Sequence, residues 1–307
     1  MNNLFSRIIV GVDDSEPAMA AVSYAARLAR DHGGELVLVS VINWVALIAQ
    51  AVSGGGAIDA GSTIHQLSED AGAMLDRGSE ISRRFGIAVE RRIPQGDPAE
   101  MLMTMAHEEK ATLIVMGTHG RRGVGRLFLG STAEMVLRGS SVPVLTLRSA
   151  TPPDREARRC ISRILLGIDD SEPSDAALKA VFALPLEDRQ ELLIYSAVEI
   201  GASFGVVRTA AIEEELFSEA NVVVERAIEA ARERNINVRG STVEGRAADA
   251  IAGAAAKEVV DLVVVGSHGR RGLRRFVLGS VAEHVVRVAS VPVLVVRAAS
   301  AETTTIR

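Results

Sequence analysis

RIIVGVDDSEP at residues 7–17 returns as RILLGIDDSEP at residues 163–173, 156 positions further along the chain. A second pair, LIVMGTHGRRGVGRLFLGS at 113–131 and LVVVGSHGRRGLRRFVLGS at 262–280, is offset by 149 positions. ELVLVSVI (35–42) and ELLIYSAV (191–198) keep the first offset, whereas Gly96 and Gly245 already show the second. Seven residues are therefore lost between the second and third apolar runs of the repeat. A unit of half the chain is far longer than the roughly 20–45 residues of a solenoid repeat, so it reads as a duplicated domain. The chain's 307 residues also exceed a single core of roughly 100–200. The domains are expected at 1–150 and 163–307, joined by a charged linker over 151–162 that contains Pro152 and Pro153.

Within each half, short apolar runs alternate with amphipathic stretches, the pattern of βαβ units. In the first half, strands are predicted over 8–12, 36–41, 87–93, 113–117 and 142–147. Helices are predicted after Pro17, over 63–85, after Pro98 and after Ser131. The runs at 113–116 and 262–265 are continuously apolar, as central strands covered on both faces require. Pro17 and Pro98 suit a first helical turn, where a missing N–H costs nothing. The predicted fold is α/β: two tandem Rossmann-like doubly wound domains, each a five-stranded parallel sheet with helices on both faces. A ligand is then expected beyond the carboxyl ends of the strands, at the switch point. The final runs, VPVLTLR (142–148) and VPVLVVR (291–297), are apolar and lie at a sheet edge, where unpaired backbone invites another strand. They are expected to pair the two halves internally, and a homodimer through another face stays open.

Composition narrows the partners. Against 34 basic residues stand 39 acidic ones, and a net charge of −5 gives no footprint for nucleic acid. Cys160 is the sole cysteine, so no intrachain disulfide framework or thiolate metal cluster can form, and a cytoplasmic setting is expected. Arg158 and Arg159 flank it, but a plain linker cysteine is the expected reading. The amino terminus lacks the pattern of a signal peptide. The apolar stretch at 44–52 is about half of the ~20 residues a membrane span needs and runs into Gly54, Gly55 and Gly56. It is read as a loop or lid, with no membrane contact.

The repeats agree best where a switch-point ligand would sit. Asp13 and Asp14, repeated as Asp169 and Asp170, end the first strand of each half. Such a carboxylate accepts from a base amino group or a ribose hydroxyl, or else caps the next helix; two adjacent acids let one serve each role. The second element is Gly117-Thr118-His119-Gly120, nine residues, then Gly130-Ser131, matched by Gly266-Ser267-His268-Gly269, nine residues, then Gly279-Ser280. Glycines leaving a buried strand allow positive φ and close approach of backbone N–H groups to an anion, and Gly130 then opens a helix whose N-terminus favours phosphate. Ser131 with Glu134, and Ser280 with Glu283, also fit a Ser-x-x-Glu capping box, although capping alone does not require the preceding glycines. No G-x-x-x-x-G-K-[ST] occurs, and Gly123-Val124-Gly125 meets Phe128 where a dinucleotide fingerprint needs its third glycine. A triad of Ser15, Asp13 and His119 lacks a nucleophile elbow, so His119 and His268 are read as loop histidines. No catalytic residue is assigned, and His65 and His107 have no metal-ligand spacing.

The spacing G-x2-G-x9-G-[ST] after an apolar strand, with an aspartate ending the first strand, resembles that of the ATP-binding universal stress proteins in their tandem form, over nearly the whole chain. In that family the aspartate contacts adenine, the end of the second strand adds backbone contacts, and the glycine motif holds ribose and phosphates. The resemblance implies a nucleotide site at Asp13, Val41, Gly117, Gly120, Gly130, Ser131 and Thr132. A second is implied at Asp169, Ala197, Gly266, Gly269, Gly279, Ser280 and Val281, where Ala197 departs from the valine of the first half. Arg121, Arg122 and Arg126, with Arg270, Arg271, Arg274 and Arg275, either clamp phosphates bidentately or are solvated loop charges. The implied ligand is ATP with Mg2+, and the implied function is a nucleotide-occupied regulatory module in stress adaptation rather than a fast enzyme. The alternatives are a slow ATP hydrolase or phosphotransferase, with Asp14 or His119 positioning water, and a scaffold that has lost its ligand.

Overall fold

The structure, a computed structural model, describes residues 3–43, 60–120, 129–148, 161–184, 190–200, 210–269 and 278–298. The first half runs β1 (Arg7–Gly11), α1 (Glu16–His32), β2 (Glu35–Val39), α2 (Ala60–Arg84), β3 (Val89–Arg92), α3 (Pro98–Glu108), β4 (Leu113–Gly117), α4 (Ser131–Gly139) and β5 (Val144–Leu147). The second repeats the order as β6 (Arg163–Gly167), α5 (Glu172–Phe182), β7 (Glu191–Val198), α6 (Ala210–Arg232), β8 (Asn237–Glu244), α7 (Ala247–Lys257), β9 (Leu262–Gly266), α8 (Ser280–Val288) and β10 (Val293–Val296). Among the described residues, no helix is long and apolar enough to cross a membrane.

Each half is a five-stranded parallel sheet, but the two are not separate sheets. The strands form one ten-stranded sheet in the order β3-β2-β1-β4-β5-β10-β9-β6-β7-β8. β5 and β10, the runs expected to join the halves, pair antiparallel with Leu145 opposite Leu294 and Val144 opposite Val295. Thr146 is buried at this junction, where its hydroxyl donates to the Val293 carbonyl at 3.3 Å. Alternation along the strands sends Ile8, Val10, Leu36 and Leu38 to the face covered by α1 and α2, and Ile9, Val37 and Val39 to the face covered by α3 and α4. Both apolar layers continue across the junction through Leu294 and Val296 on one face and Val293 and Val295 on the other.

The ends of the elements follow local chemistry. Ser15 caps α1 by accepting from the Ala18 N–H at 3.2 Å, and Asp97 caps α3 by accepting from Ala99 and Glu100 at 2.9 and 3.1 Å. β5 starts at Val144 rather than 142 because Pro143 has no N–H; its carbonyl still accepts from Ile114 at 3.1 Å. α2 and α6 begin 150 positions apart against an offset of 156 before them, so a difference of six of the seven residues arises before these helices. It falls within 44–59 and 201–209, which lie outside the described residues, as does the stretch read as a lid.

At the amino end of the first-half strands, Arg7 joins three carboxylates. It contacts Glu35 at 2.5 Å, Glu90 at 3.1 Å and Glu109, while Arg92 reaches Glu109 at 2.7 Å and Glu90 at 2.6 Å. Hydrogen bonding from Arg7 holds the Glu109 carboxyl below the ordinary carboxylate range, against the opposing effect of burial. A depressed folded-state pKa contributes stability above the unfolded value, and that contribution is lost as pH falls through the folded value. Between about pH 6 and about pH 3, the melting temperature of the parent is therefore expected to fall more steeply than that of Glu109→Gln. Superimposable pH profiles from calorimetric scans would remove Glu109 from the acid response.

Candidate functional site

β1 and β4 are neighbours in the sheet, yet the chain leaves β1 towards α1 on one face and β4 towards α4 on the other. Their carboxyl ends flank the crevice of a topological switch point. In the first half this crevice is a cavity of about 970 Å³. Asp13, Val41, Gly117, Gly120, Gly130, Ser131 and Thr132 all line it, so every described residue expected in the first-half site meets in one place. Leu67, Ala71 and Met74 of α2 add an apolar wall that the sequence reading did not identify. Their spacing of four and three along one helical face was the available signal.

Asp13 is oriented locally. Its Oδ1 accepts from the Ser15 N–H at 3.0 Å and from the Ser15 hydroxyl at 2.5 Å. Its Oδ2 lies against Gly120, where an added Cβ would come within 2.5 Å of it. The cap of α1 is thus Ser15, and neither aspartate fills the capping role expected for one of them. Asp14 instead pairs with Arg77 on α2. The second half repeats the wiring: Asp169 accepts from the Ser171 hydroxyl, Ser171 caps α5, Asp170 meets Arg226 at 2.9 Å, and a Cβ on Gly269 would run into Asp169 Oδ2.

The glycines act through close approach rather than left-handed backbone. None of the six described motif glycines has positive φ, contrary to expectation. A Cβ on Gly117 would lie 2.8 Å from Pro17 Cβ and 2.9 Å from its carbonyl carbon, and one on Gly266 would lie 2.8 Å from the Pro173 carbonyl carbon. These two glycines let the first turn of α1 press on the end of β4 and that of α5 on the end of β9. Gly130 is the N-cap of α4, with φ −66° and ψ 148°, and its N–H donates to the Thr118 carbonyl at 2.7 Å.

The capping-box reading is overturned. Ser131 and Ser280 are the first helical residues, not caps, and among the described residues no side chain caps α4 or α8. Glu134 and Glu283 turn away from the helix start to Arg138 and Arg287, each at 2.5 Å. An i,i+4 partner outcompetes the fold-back to a cap whose glycine offers no reciprocal hydroxyl. α7 also starts without a side-chain cap, but α1, α3 and α5 are closed by Ser15, Asp97 and Ser171. The first turn of α4 borders the cavity through Ser131 and Thr132, and the first N–H groups of a helix have no acceptor within it.

His119 also lines the cavity, with Nδ1 3.1 Å from the Thr118 hydroxyl; His268 sits 3.0 Å from Ser267 in the same way. Ser15 approaches the His119 carbonyl at 3.4 Å rather than its imidazole, so these residues do not form a hydrolase triad. Asp169, Gly266, Gly269, Gly279, Ser280 and Val281 occupy the matching strand ends and helix start, and Ala197 lies in β7 opposite Val243. Among the described residues, no group of three or more His, Cys, Asp or Glu could hold a metal ion. Arg121, Arg122, Arg126, Arg270, Arg271, Arg274, Arg275 and Cys160 lie outside the described residues.

A family model described as the universal stress protein family matches residues 4–148 and again 161–297. A universal stress protein of Mycobacterium tuberculosis is 30% identical over 302 residues, covering 94% of this chain and 96% of the relative. One from Mycolicibacterium smegmatis is 28% identical over 296 residues, with the same shares covered. The crystal structure of a universal stress protein from Archaeoglobus fulgidus superposes with a TM-score of 0.69 at 24% identity, covering 97% of this chain and 99% of that one.

The close approach at Gly117 gives a stability test. Gly117→Ala is expected to cost about 1–3 kcal/mol, because the clash is with backbone that cannot turn aside. Gly72→Ala, in α2 with no atom within 4 Å of the new Cβ, is expected to gain about 0.5–1 kcal/mol. Urea unfolding of both variants checks the pair, and equal effects would contradict the assignment of Gly117 to packing.

Proposed function

The chain belongs to the universal stress protein family, and on that premise we propose that it is an adenine-nucleotide-binding regulatory protein of stress adaptation, taking one ATP in each half. The observation that carries this reading is the convergence of the Asp13 carboxylate and the uncapped start of α4 on one cavity. A volume of about 970 Å³ lies at the upper end of the range for small-molecule sites, as a nucleotide needs. The apolar wall of Val12, Val41, Ala71 and Met74 suits a base. An ionised carboxylate has about four lone-pair sites, of which Ser15 uses two, which leaves acceptor capacity for a base amino group or ribose hydroxyls. Ser131 and Thr132 offer hydroxyls and first-turn N–H groups to phosphate at the positive end of a helix, and Gly130, whose own N–H is held by the Thr118 carbonyl, leaves room for its approach.

Mg2+ enters on the triphosphate, the usual arrangement for this ion. The roles of the arginines at 121, 122, 270 and 271 as phosphate clamps belong to the same proposal. A single cysteine supports a cytoplasmic setting. The regulatory reading is preferred over hydrolysis because Asp14 is engaged by Arg77 and His119 rests on a neighbouring hydroxyl.

Titration of the full chain with Mg-ATP is expected to approach two equivalents. Gly130→Val places a branched side chain at the helix start and is expected to weaken ATP at the first site about tenfold or more, with far less effect on adenosine. Asp13→Ala is expected to weaken both ligands. ATP affinity unchanged in Gly130→Val would refute the phosphate assignment. Steady phosphate release near the enzyme median of ~10 s⁻¹ would replace the regulatory reading with catalysis.

A further inference from the structure

α4 has only nine residues, and its two ends are treated differently. Its start lies at the cavity with no side-chain cap among the described residues; its last carbonyls are closed from the other half of the chain. The Ser140 N–H takes the Val136 carbonyl at 2.8 Å. The guanidinium of Arg297 donates to the Arg138 carbonyl and lies 3.5 Å from that of Leu137. Arg138 does not do this for its own helix, because its side chain is turned back to Glu134. The junction explains the reach. Antiparallel pairing sets Val295 opposite Val144, so the end of β10 lies beside the start of β5, which follows directly from the last turn of α4. Arg297 is the next residue after Val296, which ends β10, and it is half-buried there.

We propose that Arg297 is a positioning residue for nucleotide binding in the first half: it fixes the carboxyl end of α4 so that Gly130, Ser131 and Thr132 at the other end are held against the phosphates. The inference rests on the phosphate reading given above. α4 spans only about 13 Å and is held to the sheet by the few buried side chains of Ala133, Val136 and Leu137. Those apolar contacts resist lifting more than sliding along the axis, whereas hydrogen bonds to the last carbonyls set the axial position. A cation at the negative end of the helix also complements the dipole whose positive end meets the phosphates. Arg297 therefore makes first-half affinity depend on docking of the second half's last strand.

The test uses the full chain carrying G279V, which blocks the phosphate end of the second site, so that calorimetry reports the first. In that background R297Q is expected to weaken ATP about threefold to tenfold and to leave adenosine within about twofold, with R297K falling between R297Q and the parent. With G130V in place of G279V, R297Q is expected to leave ATP at the second site within about twofold. An unchanged ATP affinity, an equal loss for adenosine, or an equal loss at the second site overturns the proposal. If the G279V parent prefers ATP no more than adenosine, the phosphate assignment fails first and Arg297's role falls with it. Melting curves accompany each variant. If R297Q does not fold, R297K decides alone: a selective loss for ATP supports the positioning role, and unchanged ATP binding rejects it.

Discussion

Antiparallel pairing of β5 with β10 is the constraint on which the molecule's organisation depends. Each half has an apolar last strand whose exposed edge would otherwise offer unpaired backbone groups to any passing strand. Joining the two edges buries both and makes the apolar layers continuous across ten strands. Among the described residues, the same pairing leaves β3 and β8 as the outer edges. β3 is short, and Glu90, Arg91 and Arg92 keep it charged and tied into ion pairs, which is how natural edges avoid further pairing.

Within each half, the site is made by packing before it is made by ligand chemistry. The first turn of α1 presses on the end of β4, and only a residue without a side chain leaves room at Gly117. That contact brings Ser15 to Asp13, and Gly120 then leaves space for the second carboxylate oxygen. One carboxylate is thereby oriented without any contribution from α4. The start of α4 arrives from the opposite face, as strand order at a switch point requires. An oriented carboxylate and a helix start meet in a single cavity because of this crossing of layers.

The repeat made the fold legible, because elements recurring in order at two offsets leave little choice of topology once the parallel pattern is recognised. The positions that line the first-half cavity were legible for the same reason: they lie in loops that agree between halves at strand ends, where a doubly wound sheet opens its crevice. The roles of individual residues were harder to read. Ser-x-x-Glu is compatible with a capping box, but Arg138 and Arg287 lie one turn beyond Glu134 and Glu283 and win the carboxylate. A Gly at a strand end reads alike whether it serves left-handed backbone or close packing, and only the neighbour Pro17 distinguishes them. The α2 wall went unseen because Leu67, Ala71 and Met74 resemble any buried helical stripe until the cavity beside them is known. Arg297 lies 159 positions from the carbonyl it closes, a pairing that no local pattern encodes.

The unequal spacing before α2 and α6 bears on how such a molecule can diverge. Two separate copies of one polypeptide, paired by a two-fold axis, must carry every insertion and substitution twice, so their two sites stay identical. Joining the copies in a single chain removes that obligation. Here one half has six residues more ahead of its second helix, Thr132 where the other has Val281, and Val41 where the other has Ala197. Selection can then tune one half while the other holds the ancestral chemistry, and an asymmetric partner can tell the two halves apart on a body that a two-fold rotation otherwise carries nearly onto itself.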